Sequence, residues 1–345
     1  MFHSLINGCS VCGLEEGLSR CTACGVMLYC GRDHQAAHRH KHKKTCNIIK
    51  KARANLHGKE QSLRVYPEDE KTPAGLFDNA VGRFWEVKAV RNYMRARYYL
   101  VRALLKIDTL DAVDVALAHA MEMLRLCRRD HLGVRKLIPP LYLRLGKYQQ
   151  CYDFLKWWQT TGTNPSYDWN ATKSPYLDLQ DEDIFEPVDI FCGKKGDLNY
   201  TVSATLLKIK LLSEIEILQR VPQEQFDNVR TEFVSSAVGE RKDIMNIDGQ
   251  MALIKELQAQ IETLYDAVEK LSGWFWTALT SGMDDYLTCP SEDAEVKAGK
   301  WDYSAVYPVL HRCYRSWSET PGAITRIEII LTTRMKMPPG ERKPD

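Results

Sequence analysis

Between Cys9 and Cys46, cysteine and histidine recur at spacings that no hydrophobic core requires: Cys9-x2-Cys12, Cys21-x2-Cys24, Tyr29-Cys30, His34-Gln35, His42 and Cys46. Six of the eleven cysteines of the chain lie in this run. These eight donors are enough for two tetrahedral zinc sites, each closed by cysteine and histidine with no position left for a substrate. So short a segment buries little apolar surface by itself, so metal binding and folding are expected to be one event. A disulfide framework would use the same residue type. It belongs to secreted chains, however, and Met1-Phe2-His3-Ser4 opens no charged-then-apolar leader. The remaining cysteines, Cys127, Cys151, Cys192, Cys289 and Cys313, are scattered and read as small core hydrophobes.

The segment from Asp33 to Lys50 is rich in helix formers and spaces His34, His38 and His42 four apart, along one face of a helix. His34 and His42 can then reach metals two turns apart, with His38 as a spare between them. His3 and His40 are further spares. The basic run Arg39–Lys44 reads as a solvated helix face that partly offsets the charge of thiolate clusters.

The pattern Cys-x2-Cys, Cys-x2-Cys, Tyr-Cys-x3-His-Gln, His-x3-Cys resembles a MYND-type zinc finger over residues 9–46. In that family the ligand pairs interleave. The resemblance therefore implies one Zn2+ on Cys9, Cys12, Cys30 and His34, and a second on Cys21, Cys24, His42 and Cys46. His34 stands where the family usually has cysteine, which makes both sites Cys3His, a common zinc donor set. Family members use a glutamine, matched by Gln35, and an aromatic three residues before the ligand histidine to take up proline-rich peptides. Arg39 occupies the aromatic position, so Gln35 and Arg39 mark a peptide-binding surface of altered chemistry.

Beyond the finger the expected fold is mainly α: a small double-zinc domain at 1–50, a linker at 51–75, a large helical domain at 76–335 and a disordered tail at 336–345. Residues 51–75 show no sustained periodicity. Apolar residues at three- and four-residue spacing then predict helices through Leu76–Ile107, and after the cap Asp108-Thr109 through Val113–Leu124. Pro139-Pro140 interrupts the segment Val134–Leu145. The joint Leu143–Tyr152, with Gly146 ending one helix and Tyr148 opening the next, resembles the turn of a tetratricopeptide repeat (TPR) and implies helical-hairpin, repeat-like packing. A Pro- and Gly-rich acidic insertion fills 160–196. Further helices are expected over Thr201–Arg220, Pro222–Val238, Gln250–Leu279 and Asp302–Trp317.

These features narrow the function classes. The net charge is +2 over 345 residues, and no uncharged run approaches the ~20 residues of a membrane helix, so neither a nucleic-acid nor a membrane partner is expected. Methyltransferases of the SET class carry the same finger, but their Asn-His-Ser and Gly-Glu-Glu motifs do not occur here. Phosphate-loop, Gly-x-Ser-x-Gly and His-Glu-x2-His patterns are missing too. The reading is a non-enzymatic, zinc-binding protein–protein interaction adaptor or scaffold of the cytoplasm or nucleus, with a protein or peptide partner and a role in transcriptional regulation. An enzyme with an unrecognised site in the helices, and a nucleic-acid-associated factor using Arg39–Lys44, are the alternatives.

Overall fold

The computed structural model describes residues 5–68, 72–193, 196–232, 234–282 and 306–336, without the Gln223 side chain. It is mainly α-helical and divides into two compact units. The first comprises the described residues of Ser4–Leu145 together with Ser166–Tyr176. The second comprises Gly146–Pro165 and the described residues of Leu177–Asp345.

The first unit begins with the finger. Its only regular strands among the described residues are β1 (Ser19–Arg20) and β2 (Leu28–Tyr29), an antiparallel pair in which Ser19 faces Tyr29 and Arg20 faces Leu28. Helix α1 then runs without a break over Arg32–Arg64. The linker expected at 51–75 is thus corrected over its first half, because the helix continues to Arg64 and lays Ile49, Ala52, Leu56 and Leu63 into the core. These residues extend the face that carries His42 and Cys46, and the spacing 42, 46, 49, 52, 56, 63 is that of one helical stripe.

A short turn of helix, α2 (Leu76–Asn79), and two 3-10 turns lead into α3 (Arg91–Leu104) and α4 (Leu110–Leu126). The stretch Leu76–Ile107, expected as two helices or one long bent one, is therefore three short pieces before α3. Helix α3 packs against both α1 and α4. Thr109 caps α4 as its sequence position predicts, accepting the Ala112 N–H at 3.2 Å. The prolines do not interrupt a helix: Pro139 and Pro140 lie in the first turn of α5 (Ile138–Arg144), where an N–H is not needed. Part of the expected insertion, Ser166–Tyr176, folds onto this unit. Arg128 holds it by donating to the carbonyls of Ala171, Thr172 and Ser174 and stacking on Tyr176.

The second unit is built around α7 (Leu198–Arg220), which follows α6 (Tyr148–Gln159). Every residue of α7 from Asn199 to Ile209 is buried, so its amphipathic signal is weak although it is the core. It packs on α6 and most extensively on α10 (Ile247–Leu271), with α8 (Gln223–Glu232) and α9 (Ser236–Gly239) in the connection between them. The expected helix Gln250–Leu279 is two: α10 stops at Leu271 and α11 (Phe275–Thr280) restarts after Ser272-Gly273. There Trp276 stacks on Tyr265 and meets the edge of Trp317. The unit closes with α12 (Tyr307–Ser318) and α13 (Ala323–Lys336).

The acidic insertion residues are not simply solvated. Lys156 bridges Glu182 and Glu186 at 2.6 Å each, and Lys208 donates to the carbonyls of Ile184 (2.6 Å) and Glu186 (3.2 Å). Gly146 adopts the left-handed conformation (φ 69°) and ends α5, as its place at the joint predicts for the helix boundary alone. The helix lengths on either side, 7 and 12 residues, do not match one another. Residues 337–345 of the expected tail, the start of the expected helix at Asp302, Cys289 and His3 lie outside the described residues.

Candidate metal centre

The two Cys-x2-Cys segments fold as near copies. In the first, Gly13 donates its N–H to the Cys9 carbonyl at 2.8 Å. In the second, Gly25 donates to the Cys21 carbonyl at 2.7 Å. Both glycines have positive φ, 77° and 73°, which reverses the chain directly after the second cysteine of each pair. The N–H of Ser10 ties the first turn to the Leu28 carbonyl of β2 at 3.0 Å, and β2 delivers Cys30. Helix α1 supplies the remaining donors: His34 in its first turn, His42 two turns on, and Cys46 one turn beyond that.

This framework converges the donors into two groups. Cys9, Cys12, Cys30 and His34 form one, and Cys21, Cys24, His42 and Cys46 the other; within each, all donor atoms lie within 4.8 Å of one another. With Zn–S near 2.3 Å and Zn–N near 2.0–2.1 Å, a tetrahedron has edges of about 3.8 Å between sulfurs and about 3.5 Å between sulfur and nitrogen. The separations found are 3.7 Å for Cys12–Cys30 and for Cys21–Cys46, 3.5 Å from Cys9 to His34 Nδ1, and 3.5 Å from Cys24 to His42 Nε2. Cys30 stands closer to His34 Nδ1, at 3.0 Å. The donor sets therefore fit two Zn2+ ions, each in a Cys3His site. Every member of the second site is buried, whereas Cys12 in the first is exposed.

The electrostatics fit a cation at each position. Burial pushes the Cys9 thiol up, but the N–H groups of Cys12, Cys30 and Val11 outweigh it and bring the pKa down to about 5. Cys21 is lowered in the same way, with burial outweighed by the N–H groups of Cys24 and Ala23. Their neighbours move oppositely. Desolvation, then contacts with Cys9 and Cys12, raise Cys30 to about 11; desolvation, then Cys21 and Cys24, raise Cys46 to about 12. Six thiolates this close together call for compensating charge, which a divalent ion in each donor set would supply. Burial, followed by the positive neighbours His38 and Arg39, keeps His42 below the usual histidine range, in the neutral form that a metal needs.

The spare histidines are placed clearly. His38 takes no part in either donor group: its Nδ1 lies 3.0 Å from the Tyr29 hydroxyl and its ring stacks on His42. His40 Nδ1 donates to the Ala37 carbonyl at 2.9 Å. Gln35 is half-buried and Arg39 exposed on the outer side of the same helix.

The sequence did not reveal the contacts that hold the second site against the helices. Arg53, half-buried on α1, donates Nε to the Cys24 carbonyl at 3.2 Å. Thr109 donates its hydroxyl to the Val26 carbonyl at 2.7 Å. Ile6 brackets the start of α4, donating to the Asp108 carbonyl at 2.9 Å and accepting from Leu110 at 3.0 Å. None of these residues belongs to a metal-ligand pattern, so only the arginine at a helical interval from Cys46 offered any signal.

No curated protein and no solved structure matches this chain. The family model of the MYND finger matches residues 9–46, so this segment is a zinc-binding finger of that type.

Proposed function

We propose that the chain is an interaction adaptor, without catalytic activity of its own, in which the finger presents a partner-binding surface on a helical scaffold. The observation that carries this reading is the closure of both zinc sites: each has four protein donors and no free position, so the metal organises the surface and does not act on a substrate. MYND fingers are protein-interaction modules, which supports a protein or peptide partner. Gln35 and Arg39 are the residues we assign to its recognition, with Arg39 in place of the aromatic that would take proline-rich peptides. The TPR-like joint at Gly146 supports a scaffold role for the helices behind it. No helix among the described residues is long and apolar enough to cross a membrane. We place the chain in the cytoplasm or nucleus, with transcriptional regulation as the process the finger suggests.

The test is affinity capture with the zinc-loaded full chain and with its Gln35→Ala/Arg39→Ala variant. Loss of the same partner from the variant supports the assignment. Equal capture by both chains removes the finger from recognition, and turnover of a captured small molecule overturns the adaptor reading.

A further inference from the structure

The net charge of +2 conceals a division along the chain. Residues 4–145 and 166–176 carry 26 Lys/Arg against 15 Asp/Glu, whereas the rest carries 21 against 30. Much of the excess lies on α1, where residues 34–59 include eight Lys/Arg and no Asp or Glu. The helix orders these charges. Arg32, Arg39, Lys43 and Lys50 follow one another at intervals of seven, four and seven residues and fall on one line, with Lys44 and Lys51 on the adjacent line. All six are exposed, on the side opposite the buried stripe of Ile49, Ala52 and Leu56. Among the described residues none of the six is in an ion pair. At 1.5 Å per residue, Arg32 to Lys51 spans about 28 Å.

We propose that this face of α1 binds the phosphate backbone of a nucleic-acid duplex without reading its sequence. A duplex offers a rigid line of charge, and releasing its condensed counterions gives affinity without any apolar anchor. The face has none. Between the Lys and Arg side chains it carries Ala36, His40, Asn47, Ala54 and Asn55, with Asp33 at its start; most of these are small residues that let a backbone approach. The exposed large apolar residues of this unit that flank the helix in sequence are Ile6, Val11 and Leu14 before it and Val65 and Tyr66 after it. A protein partner with a buried hot spot, or a membrane surface taking up apolar side chains, would find no purchase. The span matches about eight base pairs, enough for four or five phosphate contacts. The face carries no Phe, Tyr or Trp for bases to stack on, which argues against single strands but not against a duplex.

The experiment measures fluorescence anisotropy of labelled 20-base-pair DNA and RNA duplexes with the zinc-loaded full chain, and with poly-glutamate as competitor. Raising salt from 50 to 200 mM should weaken binding roughly 100- to 500-fold for four to five contacts. Lys43→Gln/Lys44→Gln/Lys50→Gln/Lys51→Gln should flatten the dependence of log affinity on log salt by about 0.9 per residue changed. Neutralising Arg220, Lys242, Lys255 and Lys336 instead should leave it unchanged. Two bound zinc ions per variant chain certify folding, and Arg39→Gln alone provides a milder step. The DNA and RNA arms tell which duplex is preferred. Absence of binding, a salt-independent affinity, or equal binding by the quadruple variant overturns the proposal. So does tighter binding of poly-glutamate than of either duplex, which would assign the face to an acidic protein.

Discussion

The hydroxyl of Thr109 donates to the carbonyl of Val26 at 2.7 Å, joining the cap of α4 to the zinc-bearing turn 83 residues earlier in the chain. The same oxygen accepts the Ala112 N–H, and the residue is fully buried. Thr109→Val keeps the shape and removes both bonds, leaving a buried carbonyl and a helix end unpaired. The expected loss is about 2–4 kcal/mol of stability, the combined effect of a lost cap and an orphaned acceptor. Thr109→Ser should retain most of it. Urea denaturation of the three chains measures the difference, and equal midpoints would show that the finger does not depend on this bond.

Removing zinc should reach well past residue 46. His42 and Cys46 lie on the helix whose next turns bury Ile49, Ala52 and Leu56 against the core, with α3 packed alongside. Cys21→Ser is expected to lower zinc content to about one equivalent and to expose amides of α1 and α3 to hydrogen exchange. A detachable finger would behave differently: the metal would go, and α3 would keep its protection relative to α7. Native-state exchange with and without a chelator distinguishes the two.

The difference between the finger and the helix that grows out of it is also a difference in what sequence can carry. Zinc chemistry admits few residue types at few spacings, so Cys9 through Cys46 announced both sites, and the ligand sets found are those the family resemblance implied. Helix α1 beyond Lys50 gave little sign of itself. Only Ala52, Leu56 and Leu63 are apolar and buried there, among Lys51, Arg53, Lys59 and Arg64, and Gly58 reads as a breaker. Its stability comes from tertiary packing, which periodicity reports weakly when the stripe is one residue per turn. Helix α13 escaped for the same reason: it buries only Ala323 and Ile327. The opposite failure occurred at Ser272-Gly273, where apolar residues on both sides hid the break between α10 and α11.

Gly58 separates a helix from a linker directly. It sits in the interior of α1 with nothing within 4 Å of where a Cβ would be. Gly58→Ala is therefore expected to stabilise the first unit by about 0.5–1 kcal/mol, by restricting the unfolded chain and improving helix propensity. Thermal unfolding of the zinc-loaded protein should show a higher midpoint. An unchanged or lower midpoint would mean that the helix does not persist through this position in solution.

Lys208 makes the second unit respond to alkaline pH. Its ammonium is buried at the centre of α7, donating to the carbonyls of Ile184 and Glu186 and lying 5.6 Å from the Tyr152 ring centroid. Burial lowers its pKa from 10.5 to about 8, against the opposing pull of Asp183, Glu256 and Glu186. Two carbonyl acceptors suit the two N–H groups of a neutral amine, so the contacts survive loss of the proton. Between pH 8 and pH 10.5 the unfolded chain binds a proton that the folded chain has released, so this residue raises stability as pH climbs through that window. The gain is at most about 3 kcal/mol. Below pH 8 both states are protonated and the cost of burying the charge is fully present. Lys208→Met should therefore be closest to wild type in stability, or below it, near pH 10 and should gain on it as pH falls toward 8. Denaturation of both chains across that range measures the difference, and parallel pH profiles would show that Lys208 keeps an ordinary affinity for its proton in the folded state.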